Sequence, residues 1–291
     1  MTASRQRGVT LVEILVALAV FSVVMAIAYG AINGSLRVQA DQEAATTTQG
    51  KLRRIVEVIT QDLRGAVFGS ITTQPYASDN SQVSFLMLTG GAGYTVLQPA
   101  LANSFPDETE ARILMNEADR LRGKQVAMIN STRREGVVLP VESVRPGLTS
   151  GEWILQWGGG CSNTVQYDLN STLIFEVETT GLRYDPDSRT IRTTSAAGAE
   201  APFAFDIADF RIEYIYTDGT DVRTQVTPHT VAGVPQRVYD DGSGEWYLQR
   251  LQFVVGADAE SRGQTIQHAH TGQVDLSSNE DFRVEEIRPC K

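Results

Sequence analysis

The chain has 291 residues, enough to bury a sizeable core as one large domain or as two ordinary ones. Its composition is that of a globular protein, with 42% hydrophobic residues, which excludes wholesale disorder. The formal net charge is -10 at pH 7. An acidic body is repelled by nucleic-acid phosphate and by anionic lipid, so nucleic-acid binding by the body is not expected and any membrane contact has to be hydrophobic.

The chain opens Met-Thr-Ala-Ser-Arg-Gln-Arg-Gly, then Val-Thr-Leu-Val-Glu, then Ile14 to Ile32. That last stretch is apolar apart from Ser22, Tyr29 and Gly30. It matches the roughly 20 residues needed to cross a bilayer. Arg5 and Arg7 precede it, so the positive-inside rule places residues 1–8 in the cytoplasm and the body outside. An ordinary secretory signal has a shorter apolar core and a small-residue cleavage site after it, and neither is present here. An ordinary anchor, or a buried core helix, leaves Glu13 unexplained. That carboxylate stands at the start of the apolar run, where a charge costs roughly 2.5–3.5 kcal/mol.

Gly8-Val9-Thr10-Leu11-Val12-Glu13, with its basic leader and apolar run, resembles the cleavage motif of type IV prepilins and type II secretion pseudopilins. The resemblance implies cutting by a prepilin peptidase between Gly8 and Val9. It also implies N-methylation of Val9, although phenylalanine is usual at that position. The glutamate of the family falls on Glu13. Pairing a carboxylate with an ammonium removes much of its cost in hydrocarbon. The resemblance supplies that ammonium as the Val9 amine of a neighbouring subunit, an assembly salt bridge.

Beyond the membrane run, Leu36, Ala40, Ala44, Leu52, Ile55, Val56, Ile59, Leu63 and Ala66 recur at three- and four-residue steps. They predict an amphipathic helix over 33–69, with Gly65 and Gly69 as candidate stops. Thr46 to Gly50 is a poor helix former and is expected to bend or loosen the middle, and Gly30 and Gly34 to loosen the exit from the membrane. From about residue 70 short β-rich runs dominate: 83–88, 125–130, 137–141, 153–157, 173–177, 247–255 and 282–287. Asp185-Pro186-Asp187-Ser188 predicts a hairpin turn between 182–184 and 190–192. Phe210, Ile212, Tyr214 and Tyr216 alternate with Arg211, Glu213 and Ile215 and predict a strand with one buried face. Loops are expected at 99–110, 195–203 and 227–245. The expected fold is α+β: leader 1–8, transmembrane and assembly helix 9–32, amphipathic helix 33–69, and a β-rich head over 70–291 in which two sheets pack together.

The segments Leu52–Ala66, Ile207–Tyr216, Leu248–Gly256 and Phe282–Arg288 resemble landmarks of PilW-type minor pilins, which GspJ-type pseudopilins share. The head is larger than is usual in the GspJ type, which favours the pilus branch.

Cys161 and Cys290 have no short Cys/His spacing and form no metal-ligand cluster. Export favours a disulfide between them, and two unpaired buried thiols are the alternative. A bond across so long a loop stabilises by up to roughly 4–5 kcal/mol in the entropy model. His268 and His270 share one face of an expected strand but have no supporting ligands, so a solvated face is the simpler reading. Asp240-Asp241-Gly242-Ser243-Gly244-Glu245 is oxygen-rich yet lacks calcium-loop spacing and reads as a turn. No helix signature follows Gly158-Gly159-Gly160, so these form a loop rather than a phosphate cradle. Trp153 and Trp157 read as core. Neither a nucleophile elbow, a zincin helix, a P-loop nor a dinucleotide fingerprint occurs.

The expectation is a non-enzymatic subunit with no cofactor. By resemblance it resides in the inner membrane as a single-pass protein, with its head outside the cytoplasm, and then enters a surface pilus or a periplasmic pseudopilus. Its implied partners are other minor and major pilins, the prepilin peptidase, the inner-membrane assembly platform and, before assembly, the lipid bilayer. The implied roles are pilus biogenesis, adhesion, motility or DNA uptake. The alternatives are a GspJ-type pseudopilin of type II secretion, and a membrane-tethered binding or enzymatic head that borrows the export signal.

Overall fold

The computed structural model describes residues 11–90, 93–97, 109–116, 118–130, 132, 134–161, 172–194, 199–261, 264–276 and 286–290. It begins with one helix, α1, Leu11–Arg64, of 54 residues. At 1.5 Å per residue it is about 80 Å long. Its buried side chains are Leu52, Ile55, Val56, Ile59 and Leu63, a stripe at three- and four-residue steps. Asp41, Ala44, Ala45 and Thr48 continue that stripe as half-buried positions. The helix therefore runs unbroken through the threonine stretch expected to loosen it. The Thr46 hydroxyl is satisfied within the helix by the Gln42 carbonyl at 2.7 Å.

The helix stops earlier than the expected boundary at residue 69. The Gly65 N–H closes the last turn on the Gln61 and Asp62 carbonyls, at 3.3 and 3.0 Å. Strand β1, Ala66–Thr72, then pairs antiparallel with β2, Gln82–Leu88. Ala66 continues the apolar rhythm of the helix, but the sheet claims it. Strand pairing here overrides a three-residue extension of the helical period.

Six strands follow: β3 Tyr94–Leu97, β4 Glu110–Leu114, β5 Gln125–Asn130, β6 Glu135–Pro146, β7 Glu152–Trp157 and β8 Thr172–Asp185. Their pairings close on themselves in the order β3–β4–β7–β6–β5–β8 and back to β3. All six junctions are antiparallel. A closed ring leaves none of these junctions as an open edge, and alternate residues fill its interior. Tyr94, Val96, Ala111, Ile113, Val126, Met128, Val137, Leu139, Val141, Leu155, Trp157 and Ile174 form that barrel core. Cross-strand partners such as Met128 with Val137 and Val126 with Leu139 point inward together.

Strand β8 outlasts the barrel. Its first half is a barrel stave, and its second half pairs with β2 on one side and with β9, Thr190–Thr194, on the other. The expected Asp185-Pro186-Asp187-Ser188 turn joins β8 to β9. Strand β10, Glu200–Ala204, pairs with β9 inside a stretch expected to be loop.

A second sheet contains β11 Asp209–Thr217, β12 Val222–Gln225, β15 Val238–Asp240, β16 Glu245–Ser261 and β17 Gln264–Asp275. The small ribbon β13 Thr230–Val231 with β14 Val234–Pro235 lies in the connection before β15. Phe210, Ile212, Tyr214 and Tyr216 of β11 are all buried, as their alternation required. Helix α1 packs chiefly on β16 and β17. Its stripe joins β11, β16 and the inner face of β1, β2, β8 and β9 in the largest apolar core.

The last described strand, β18 Glu286–Pro289, pairs in parallel with β6 along Glu135–Val138. Ile287 there enters a third cluster with Leu86, Ala127, Ile129, Val138, Phe175 and Val177, on the outer wall of the barrel. The architecture is α+β, a long apolar N-terminal helix followed by a large β-rich head, and it fits a pilin-like fold.

Candidate functional site

Exposed apolar surface is concentrated on the N-terminal half of α1. Large apolar side chains from Leu11 through Val38 are exposed, and no described residue before Leu52 is buried. An 18-residue window there has a mean hydropathy of 2.7 and no burial. Leu11 to Ile32 spans about 33 Å of helix, close to the roughly 30 Å hydrocarbon core of a bilayer. A surface of this size is compatible with lipid or with other apolar helices, and it fits membrane anchoring by a single helix.

Glu13 lies in the first turn of α1. A carboxylate is favoured there by the helix dipole, by about 0.3–1 kcal/mol. That term is smaller than the cost of a charge in hydrocarbon, so the dipole alone does not account for the residue. Some 39 residues separate it from Leu52, or about 58 Å of helix. The Ser22 hydroxyl, also in the apolar run, donates to the Leu18 carbonyl at 2.8 Å and needs no outside partner. Gly8 and Val9, the expected cleavage and methylation positions, lie outside the described residues.

The far end of the helix is held by packing. Ile59 and Leu63 are each 1% exposed, and Leu52 is fully covered. Gly272 of β17 faces Val56 so closely that a Cβ there would overlap it. The Lys51 ammonium reaches Asp206 at 3.4 Å, but both groups are exposed and the pair adds little. Gly272 is a support that sequence reasoning passed over. Its only signal was a lone glycine inside a strand pattern, which marks close approach of another element.

Cys161 and Cys290 are bonded, with Cα atoms 5.4 Å apart. The bond ties β18 to the loop after β7. The remaining singled-out residues are placed as follows. Trp157 is buried in the barrel, and Trp153 packs against the same core with its indole N–H on the Met115 carbonyl at 2.9 Å. Gly158-Gly159-Gly160 forms a turn in which Gly159 and Gly160 take left-handed φ of 70° and 75°. In the acidic loop the Asp240 carboxylate accepts the Gly242 N–H, and Asp241 accepts the Ser243 N–H and hydroxyl as well as the Arg223 guanidinium. These contacts hold the Asp241 carboxyl well below the usual carboxylate range, the Ser243 hydroxyl contributing most. The loop is a self-satisfied turn. His268 and His270 fall on one face of β17 opposite Ala257 and Val255. Among the described residues no group of three or more His, Cys, Asp or Glu side chains is placed to hold a metal.

The buried tyrosines of β11 are satisfied by main-chain groups. The Tyr214 hydroxyl donates to the Asp79 carbonyl at 3.0 Å. The Tyr216 hydroxyl donates to the Gln236 carbonyl and accepts the His229 N–H. Burial pushes both phenols far above their ordinary range, so they remain neutral.

No curated protein and no solved structure matches the chain. A family model for the prokaryotic N-terminal methylation motif matches residues 3–29. The matched segment contains Gly8, Val9 and Glu13 and runs into the exposed apolar part of α1. The chain thus carries a prepilin-type N-terminal signal, which implies processing by a prepilin peptidase and pilin-like partners in general terms.

Proposed function

We propose that this chain is a non-enzymatic minor pilin of the PilW type. It waits in the inner membrane with its head outside the cytoplasm and then assembles through α1 into the priming or tip complex of a type IV pilus. One observation carries the reading. The methylation motif at 3–29 feeds into a continuous helix whose apolar half has no cover from its own head, while its other half is seated in that head. In this reading the peptidase cuts between Gly8 and Val9 and methylates Val9. Glu13 then pairs with the Val9 amine of an adjacent subunit and sets the axial register. The assembly platform and the other minor and major pilins are its partners.

The test is a Glu13→Gln variant beside a deletion strain. Glu13→Gln is expected to be cleaved normally, to remain in the membrane and to lose incorporation into pili. Leaving one member of a buried charge pair without its partner costs about 3–5 kcal/mol. Incorporation at the wild-type level would sink the proposed role of Glu13. Loss of surface pili on deletion supports the pilus assignment. Retention of exoproteins in the periplasm would instead assign the chain to a GspJ-type pseudopilus.

A further inference from the structure

Two contacts fix how the β16–β17 hairpin lies on α1. Gly272 of β17 faces Val56, and a Cβ there would overlap it. Nearer the free end of the helix, the Lys51 ammonium reaches Asp206, next to Ala208, whose N–H is bonded to the Gly256 carbonyl at 2.8 Å. Gly256 in turn pairs with Ala269. Moving from 272 to 269 along the strand therefore moves from Val56 towards Lys51 along the helix, and the hairpin points towards the apolar end of α1. Its ladder continues to Ser261 opposite Gln264. From Gly272 to Gln264 is about 26 Å of strand, the length of about 18 helical residues, so the hairpin reaches down to about the level of residue 40. The half-buried positions Asp41, Ala44, Ala45 and Thr48 of α1 lie within that stretch.

The end of this hairpin carries an apolar side chain that its own helix leaves uncovered. Ile266 is on the same face of β17 as Gly272, by alternation. Its cross-strand partner Ala259 is 6% exposed, yet Ile266 is 45% exposed. By the same rise per residue Ile266 stands at about the level of residue 43 of the helix. Residues 264–274 contain no carboxylate, lysine or arginine, in a chain whose formal net charge is -10. Among the described strands β17 pairs only with β16, so its other flank is open. The result is an uncharged strip beside α1, just above the exposed apolar half of the helix.

We propose that this strip is the seat for the apolar helix of the adjacent subunit. The seat rests on the Glu13 salt bridge proposed above. Pairing of Glu13 with the Val9 amine of an adjacent subunit displaces that subunit towards the head by the residues between 9 and 13, about 6 Å of helix. In an adjacent subunit built like this one, Leu36 and Val38 then rise to the levels of residues 40 and 42, beside Ile266. Both are exposed large apolar side chains in the isolated chain. A helix packed about 8–10 Å from α1 on the β17 side passes along the strip. An undisplaced neighbour would instead bring its Glu43 to the level of Ile266. The displacement is what matches apolar to apolar, so the salt bridge sets the register at one end of the helix and the hairpin reads it at the other.

The experiment places a benzophenone amino acid at position 266 of the full chain in cells that assemble it. The control position is Leu148 of the barrel, which is 90% exposed. After irradiation, mass spectrometry identifies the joined peptides. From 266 the expected product is the apolar helix of a prepilin-type subunit, at the segment that stands from its glutamate as Leu36–Val38 stands from Glu13. The product should be absent from 148, and absent from 266 in a Glu13→Gln background. An Ile266→Lys variant should keep its thermal midpoint, remain in the membrane and enter assemblies roughly tenfold less well, the worth of one incompletely buried isoleucine. Where that variant fails to fold, the crosslink decides. Crosslinks from 266 only to lipid, only to another head, to the same product as 148, or to nothing would overturn the seat. So would wild-type incorporation of Ile266→Lys. The two readings fail separately. Wild-type incorporation of Glu13→Gln removes the salt bridge itself, whereas a strict need for Glu13 with no helix crosslink from 266 removes the seat alone.

Discussion

At Gly272 the helix and the sheet meet without a spacer. A Cβ there would overlap Val56 and come within 3.1 Å of Phe253. Gly272→Val should push the helix off its seat and cost about 1–3 kcal/mol by overpacking. Across the same contact Ile59→Ala should cost about 2–5 kcal/mol, because Ile59 is 1% exposed and leaves a cavity behind. Thermal unfolding of the detergent-solubilised chain reads both. The double variant should fall short of the sum, since the two sites share one interface. These residues differ in how much of their role the sequence displayed. The oddity of Glu13 was legible, because a carboxylate in an apolar run is costly wherever the chain folds, and its pairing is a proposal. Gly272 was not, because a glycine in a strand does not reveal which element closes on it. The two cysteines were partly legible: export favoured pairing, but the geometry that brings position 161 to position 290 depends on the whole barrel.

Several turns between strands are fastened by one carboxylate each. Asp185 takes the Ser188 hydroxyl at 2.7 Å and the Asp187 and Ser188 N–H groups. Asp218 takes the Asp221 and Thr220 N–H groups at 2.6 and 2.7 Å. Glu152 takes the hydroxyl and N–H of Thr149 and the Leu148 N–H. These hydrogen bonds hold the carboxyls of Asp185, Asp218 and Glu152 below their ordinary range, as the Ser243 and Arg223 contacts do for Asp241. A carboxyl whose pKa is lower in the folded state stabilises above the ordinary carboxylate value of about 4. That contribution is lost as the pH falls through the folded value. The urea midpoint of the head should therefore drop as the pH falls below about 4, and Asp241→Asn should flatten part of that drop. A midpoint independent of pH between 5 and 2 would contradict this. The same turns explain which strands were readable. Asp185-Pro186-Asp187-Ser188 announced its hairpin because its residue types fit only a turn. Strand β10 carries Pro202 and exposed residues, and β13 to β15 are two or three residues long, too short for any alternation to show.

Of the three apolar clusters in the head, the largest is filled by the helix stripe and another by the barrel interior, and β8 takes part in both through Leu182 and Ile174. Leu139→Ala in the barrel, also fully covered, should cost about 2–5 kcal/mol and raise exchange across β5, β6 and β7. Protection at Leu52–Leu63 should persist, because none of those side chains belongs to the barrel core. Equal loss in both regions would mean that the cores unfold as one unit. The strands of the barrel were largely visible in the sequence, but their closure was not. It rests on Tyr94 of β3 lying beside Ile174 of β8, a long-range register that no local pattern encodes. The shared strand also has a mechanical consequence. Tension applied to the free end of α1 passes at Gly65 into β1, across the β1–β2 ladder into β8, and so into a stave of the barrel. The sideways grip of β16 and β17 on the helix lies in parallel with that path. A pull on the stalk is therefore borne by two routes at once, and the barrel acts as the anchor block of the covalent one.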